Sequence, residues 1–191
     1  MDCPSHTLLR LELETHAYHR DADHAWLRLL AHDITRATYA DQLARAYRFE
    51  TPLEAALAYT SHVASLVGQR ARSRRLAHDL FALDYPRQRL TPRLIAPFPS
   101  VSQALGWLYV VERNARLFDM VLRNVRARIP EAPTEYLDDP DAVPRWDQLG
   151  QTLDRVARTP RIADQIIHAA HDAFRCALDW YIADQPLRRG A

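Results

Sequence analysis

The sequence predicts an all-α protein. Only four glycines (Gly68, Gly106, Gly150 and Gly190) interrupt 191 residues, and the twelve prolines fall in clusters that separate long stretches. Within those stretches apolar residues recur at three- and four-residue steps, the spacing of a helix with one buried face.

The first such stretch covers residues 8–30, with Leu9, Leu13, Ala17, Trp26, Leu29 and Leu30 on the repeat. Asp33 or Thr35 is placed to cap the helix that follows. The segment YADQLARAYRF is helical in its own right. Thr51-Pro52-Leu53-Glu54 reads as a capping box that starts or re-aims a helix through ALAYTSHVASLV. The basic run at residues 70–75 (RARSRR) reads as a solvated helix end, with Ser73 able to cap RRLAHDLFALDY. Pro86, Pro92, Pro97 and Pro99 define a stiff connection that cannot be helical throughout. Ser100-Val101-Ser102-Gln103 is a second capping box opening the most apolar segment, ALGWLYVVERNARLFDMVLRNV, a helix expected in the core. An acidic, proline-rich loop runs from 130 to 144. Two helices follow, one around WDQLGQTLDRVA and one from Thr159-Pro160 to a stop at Pro186. There is no internal repeat and no linker composition, so residues 1–191 are expected to form one domain.

Composition narrows function. The formal charge is +1, and all 25 basic residues are arginine, which offers no footprint for nucleic acid or a membrane surface. The absence of lysine removes Schiff-base, amine-nucleophile and P-loop chemistry. Cys3 and Cys176 form no CxxC pair or disulfide framework, which fits a reducing cytoplasm. No leader pattern opens the chain and no apolar run reaches the ~18 residues of a membrane span, so a soluble, unexported protein is expected. HExxH, paired ExxH, GxSxG and glycine-rich phosphate loops are all missing, and His168 and His171 read as rim histidines.

One local pattern invites chemistry. In Thr15-His16-Ala17-Tyr18-His19, Thr15 and His19 are four apart and share a helix face. His19 reads either as a satisfied structural residue or as an axial imidazole for a heme iron. His16 and His24 are the alternatives for that ligand.

Several segments, in order, resemble the heme oxygenases, in particular the compact bacterial ones associated with bacteriophytochromes. LELETHAYH resembles the proximal-helix pattern T-x-x-x-H, DITRATYADQLARAYRFETPLEAAL the second helix, and PFPSVSQALGWLYVVE the entry to the distal helix. Trp146 and AAHDAFRCALDWY are similar to the last two helices. The resemblance implies a heme-oxygenase-like helical bundle with His19 as proximal ligand, and a reaction opening heme to biliverdin, CO and iron with O₂ and an electron donor. Under it, Arg113 and Arg116, with Arg10 and Arg20 as alternatives, are the candidates to pair the propionates, Phe118 lies at the cofactor, and Asp119 or Asn114 orders the distal water. Where the family has distal glycines, however, this chain reads Arg113-Asn114-Ala115-Arg116-Leu117-Phe118-Asp119, placing Leu117 and Phe118 where the family carries no bulk. Glu12, on the face of His19, stands where a base often pairs a propionate. Two functions are therefore carried forward. One is a divergent heme oxygenase holding heme through His19. The other is a non-catalytic member with a repacked pocket, acting as a tetrapyrrole-binding or protein-interaction module.

Overall fold

The computed structural model describes residues 5–60, 63 and 72–183, the last three of these by backbone alone. Cys3, Arg70, the predicted helix beyond residue 63 and the stop at Pro186 lie outside the described residues.

Among the described residues there are eight α-helices and no strand: α1 (His6–Glu14), α2 (His16–Leu27), α3 (Arg36–Ala58), α4 (Arg72–Ala82), α5 (Val101–Ala115), α6 (Phe118–Arg128), α7 (Ala142–Val156) and α8 (Pro160–Ala183). One 3₁₀ turn, Arg28–Leu30, extends α2, and another, Arg87–Arg89, sits in the proline-rich connection. Two of the hydroxyls that spacing marks as caps act as such. Thr35 accepts from the Thr38 N–H at the start of α3, and Ser100 from the Gln103 N–H at the start of α5.

Several boundaries differ from the pattern. The first predicted helix is two, broken at Thr15, because the Thr15 hydroxyl donates back to the Leu11 carbonyl at 2.7 Å and bends the chain there. Thr51 caps nothing; α3 runs straight through, with Pro52 inside it. The cap for α4 comes instead from α3, where the Glu54 carboxylate accepts from the N–H groups of Arg72 and Ser73 and from the Ser73 hydroxyl. The distal segment breaks into α5 and α6 at Arg116 and Leu117, whose N–H groups bond the Arg113 and Asn114 carbonyls three residues back. Pro144 lies within the first turn of α7, and the acidic loop before it is no surface strap: Tyr136 and Leu137 are buried in the core. The largest departure is Arg72. It belongs to the basic run expected at the surface, yet its side chain is fully buried.

Two apolar clusters fill the bundle. One gathers α1, α5, α7 and α8 around Leu11, Tyr109, Leu153 and Phe174; the other gathers α2, α3, α4, α6 and the 129–141 loop around Trp26, Tyr39, Phe118 and Tyr136. The tightest helix pair is α5 against α8. At their crossing Gly106 is essential, since a Cβ there would stand 2.7 Å from the Ala169 Cβ and 2.8 Å from the Ala170 nitrogen. Backbone cannot move aside as a flexible side chain would, so Gly106→Ala is expected to destabilise the fold by about 1–3 kcal/mol, read from urea unfolding.

Candidate functional site

The break at Thr15 sets the geometry around His19. Thr15 is buried at the joint, and its single hydroxyl proton is committed to the Leu11 carbonyl. Its oxygen is therefore the acceptor in the 3.0 Å contact with His19 Nε2, which fixes the imidazole as the Nε2–H tautomer. His19 itself is 8% exposed, packed edge-on against His16 and beside Phe174. Burial first, and then the positive charge of Arg113, lowers its pKa from 6.5; the carboxylates of Glu12 and Asp23 pull the other way. The ring is a neutral donor aimed at a hydroxyl.

Side chains of α5 and α6 reach across to α1, α2 and the turn after α2 at four points. Tyr109, fully buried and with its phenol pushed to higher pKa by burial, lies 3.3 Å from the Thr15 hydroxyl and donates to Glu12 at 3.4 Å. One turn on, Arg113 clasps Asp23 with two hydrogen bonds of 2.6 and 2.9 Å. Next, Phe118 rests on Trp26, with ring centroids 5.1 Å apart, and both are buried. Beyond that, Asn124 donates to the Leu29 carbonyl at 2.7 Å.

Phe118 is held from behind. The Arg72 guanidinium lies over the Phe118 ring at 4.6 Å and the Tyr136 ring at 4.8 Å, and donates to the Tyr136 hydroxyl at 3.0 Å. Tyr136 in turn donates to Glu50 at 2.5 Å, and Glu50 Oε2 stands 3.7 Å from Arg72 Nε. Burial alone would lower the Arg72 pKa, but Glu50, Tyr136, Glu112 and Asp139 raise it, so the charge stays. A second buried cation, Arg145, pairs with Asp139 and Glu112 on the other side of α5.

The sequence-predicted residues thus divide. His19 and Arg113 share the filled interface between α2 and α5. Arg116 pairs with Glu12 at 3.1 Å and lies over the Trp146 ring. Together with Phe118 and Asp119 it lines an open pocket of about 380 Å³ between α6 and the start of α7, to which His19 does not contribute. Asp119 is exposed and pairs with Arg123. Asn114 is buried, and its Oδ1 accepts no hydrogen bond from the described residues. Leu117 is partly buried against the same cluster as Phe118, away from His19. His16 and His24 lie on α2 without Nε2 engaged as that of His19 is. Of the other histidines named from the sequence, His168 is exposed and His171 packs edge-on against Tyr18.

Sequence reasoning missed Asp23, Trp26, Tyr109 and Arg72. The first two carried a signal: Thr15, His19, Asp23 and Trp26 follow one another at steps of four, four and three, one stripe of a helix. Tyr109 and Arg113 repeat the four-residue step on the facing helix.

No family model and no curated protein matches the chain. Among solved structures it is similar to a heme oxygenase from Neisseria meningitidis, crystallised with NO and CO bound, with a TM-score of 0.73 and 19% identity over 97% of this chain and 98% of that one. The fold is heme-oxygenase-like. At that identity the likeness concerns the fold, and it does not single out the enzymes associated with bacteriophytochromes.

A heme-oxygenase-like fold with His19 as ligand calls for a planar macrocycle between α2 and the α5–α6 pair. The residues present do not fit it. Hydrogen bonds and a tilted ring contact join the two walls at Tyr109, Arg113 and Phe118, and a macrocycle could enter only by displacing them.

Two consequences are measurable. Because His19 has a lowered pKa in the fold, the native state binds fewer protons than the unfolded chain once pH falls below about 6.5, and this residue's stability contribution is lost as pH drops. His19→Gln, which retains a donor for Thr15, is expected to flatten the fall in stability between about pH 7 and 5; an unchanged slope would refute the assignment. Arg72→Leu leaves the Glu50 carboxylate in a buried site without its cation and is expected to cost about 3–5 kcal/mol in chemical denaturation.

Proposed function

We propose that this chain is a non-catalytic protein of the heme-oxygenase fold, whose pocket has been repacked by its own side chains and which acts in the cytoplasm as a binding module. The observation that supports this reading is the row of contacts across the interface: Tyr109 to Thr15, Arg113 to Asp23, Phe118 on Trp26 and Asn124 to the Leu29 carbonyl. A close-packed interior has no room for a ring system without displacing these partners, and separating Arg113 from Asp23 alone breaks two charge-assisted bonds. No helix among the described residues is long and apolar enough to cross a membrane, in keeping with a site of action away from one.

One observation favours the other reading, heme held by His19. A buried imidazole kept neutral is what an axial ligand must be. Under that reading Arg113, Arg116, Phe118, Asn114 and Asp119 would be heme contacts, an electron donor would be required, and a bacteriophytochrome would be a natural recipient of biliverdin. It also requires Asp23 to give up Arg113.

Hemin titration of the purified protein beside His19→Ala, followed at the Soret band, separates the two. The repacked reading expects no saturable band at one equivalent and no difference between the proteins. A saturable band in the parent that weakens or shifts in the variant overturns it, and conversion of that band to biliverdin absorbance with ascorbate and air would make the chain an enzyme.

A further inference from the structure

Outside this interface, α3 and the 3₁₀ turn Arg87–Arg89 enclose a polar cleft of about 490 Å³. Three arginines line it: Arg45 and Arg48 from α3, and Arg89 from the turn. The carboxylate in the lining is Asp41, one turn before Arg45, and it accepts a 3.1 Å hydrogen bond from the Tyr85 hydroxyl. Arg48 is engaged with Tyr85 and the Arg89 carbonyl, so the guanidiniums of Arg45 and Arg89 are the ones left to a ligand.

The arginines elsewhere on α5 and α6 behave differently. Arg113, Arg116, Arg123 and Arg126 are each committed to an acid, whereas Arg128 at the end of α6 is paired with none among the described residues. In the cleft, neither the Arg45 nor the Arg89 guanidinium has a hydrogen bond or ion pair with a described residue. Arg48 is held in place by its donation to the Arg89 carbonyl at 2.7 Å, which ties the helix to the turn and gives the cleft a fixed width.

The turn itself is well determined. Asp84 takes a left-handed conformation (φ 56°) just after α4, while the Asp84 and Tyr85 N–H groups return to the Phe81 and Leu80 carbonyls, closing the helix in the pattern usually built on glycine. Pro86 follows and fixes the chain into the 3₁₀ turn. Tyr85 and Thr91 also line a neighbouring pocket of about 630 Å³ whose walls include Tyr47, Phe81, Leu90 and Pro92. Phe81 is 70% exposed there, with the Arg87 guanidinium over its ring at 5.9 Å.

We propose that this cleft binds a small soluble phosphomonoester, its phosphate among Arg45, Arg48 and Arg89 and its apolar or aromatic body against Phe81, Leu90 and Tyr47. A dianionic phosphate presents three terminal oxygens, each able to accept from a planar guanidinium fork lining the cleft. The aromatic wall supplies the second half of the recognition, since buried ring surface adds affinity independently of charge. The site shares no residue with the interface around His19, so the hemin result does not bear on it.

Calorimetric titration of the full chain with phenyl phosphate tests it, with inorganic phosphate, phenol and phosphatidic acid vesicles as comparators. Saturable one-to-one binding of phenyl phosphate is expected, with inorganic phosphate weaker and phenol inert. The double variant Arg45→Gln, Arg89→Gln removes two side chains that hold no other structure, and far-UV circular dichroism and Tm would verify its fold. It is expected to bind phenyl phosphate at least about tenfold more weakly, the scale for losing charged hydrogen bonds. Phe81→Ala is expected to weaken phenyl phosphate while leaving inorganic phosphate unchanged. Absence of saturable heat with phenyl phosphate, or equal affinity in the double variant, overturns the proposal. Binding to the vesicles without response to phenyl phosphate overturns the soluble ligand in favour of a lipid headgroup.

Discussion

A guanidinium sealed from water is an expensive element in any core, and the arrangement around Arg72 shows what it takes to keep one there. The charge is met by Glu50 from α3, flanked by the faces of Phe118 and Tyr136, and supplied with an acceptor in the Tyr136 hydroxyl. Each partner comes from a different element, so the cation draws α3, α4, the start of α6 and the 129–141 loop to one point. Removing Glu50 would strand the guanidinium at a cost of several kcal/mol, while the two rings and the hydroxyl fill its remaining contacts. The loop is thereby structural: Asp79 on α4 accepts from the Glu135 and Tyr136 N–H groups, and burial raises its own pKa against the pull of those bonds.

The state of the pocket follows from that constraint. With Arg72 behind it, the Phe118 ring has one place to go, forward onto Trp26, and Tyr136 stacks on the same indole. Two residues earlier the chain turns between α5 and α6 with three-residue hydrogen bonds, a bend achieved without glycine. A glycine-lined bend would have left the facing helix surface bare. Here the side chains it carries reach the opposite wall, and Arg113 and Tyr109 continue the contact up to His19.

How much of this was legible depended on whether the cause was local. Thr35, Ser100 and Thr159 cap their helices because a hydroxyl and an N–H three residues on are enough, and both can be read from spacing. The Thr15–His19 pairing was legible for the same reason. The break at Thr15 was not, since a threonine bonding back to residue i−4 has the same sequence spacing as one that stays within a helix. Thr51-Pro52-Leu53-Glu54 misled in the opposite direction: Glu54 does cap a helix, but one that begins at Arg72, a partner distant in sequence. Arg72 itself could not have been found by pattern. In a run of arginines nothing local distinguishes the one that meets Glu50 from those that meet water.

His19 shows how a single buried hydroxyl can set the orientation of an imidazole. An imidazole that serves as a metal ligand presents a lone pair, and its second nitrogen gives its hydrogen to a neighbour. In this chain the Nε2 hydrogen goes to Thr15, whose own proton is already spent on Leu11, so the direction of donation is fixed from the backbone outward. Reversing it would require the threonine to abandon the carbonyl that bends α1 away from α2. The same hydroxyl lies beside Tyr109, which lies beside Glu12, which pairs with Arg116. Tautomer, helix break and interface are therefore one hydrogen-bonded unit that holds α1, α2 and α5 together.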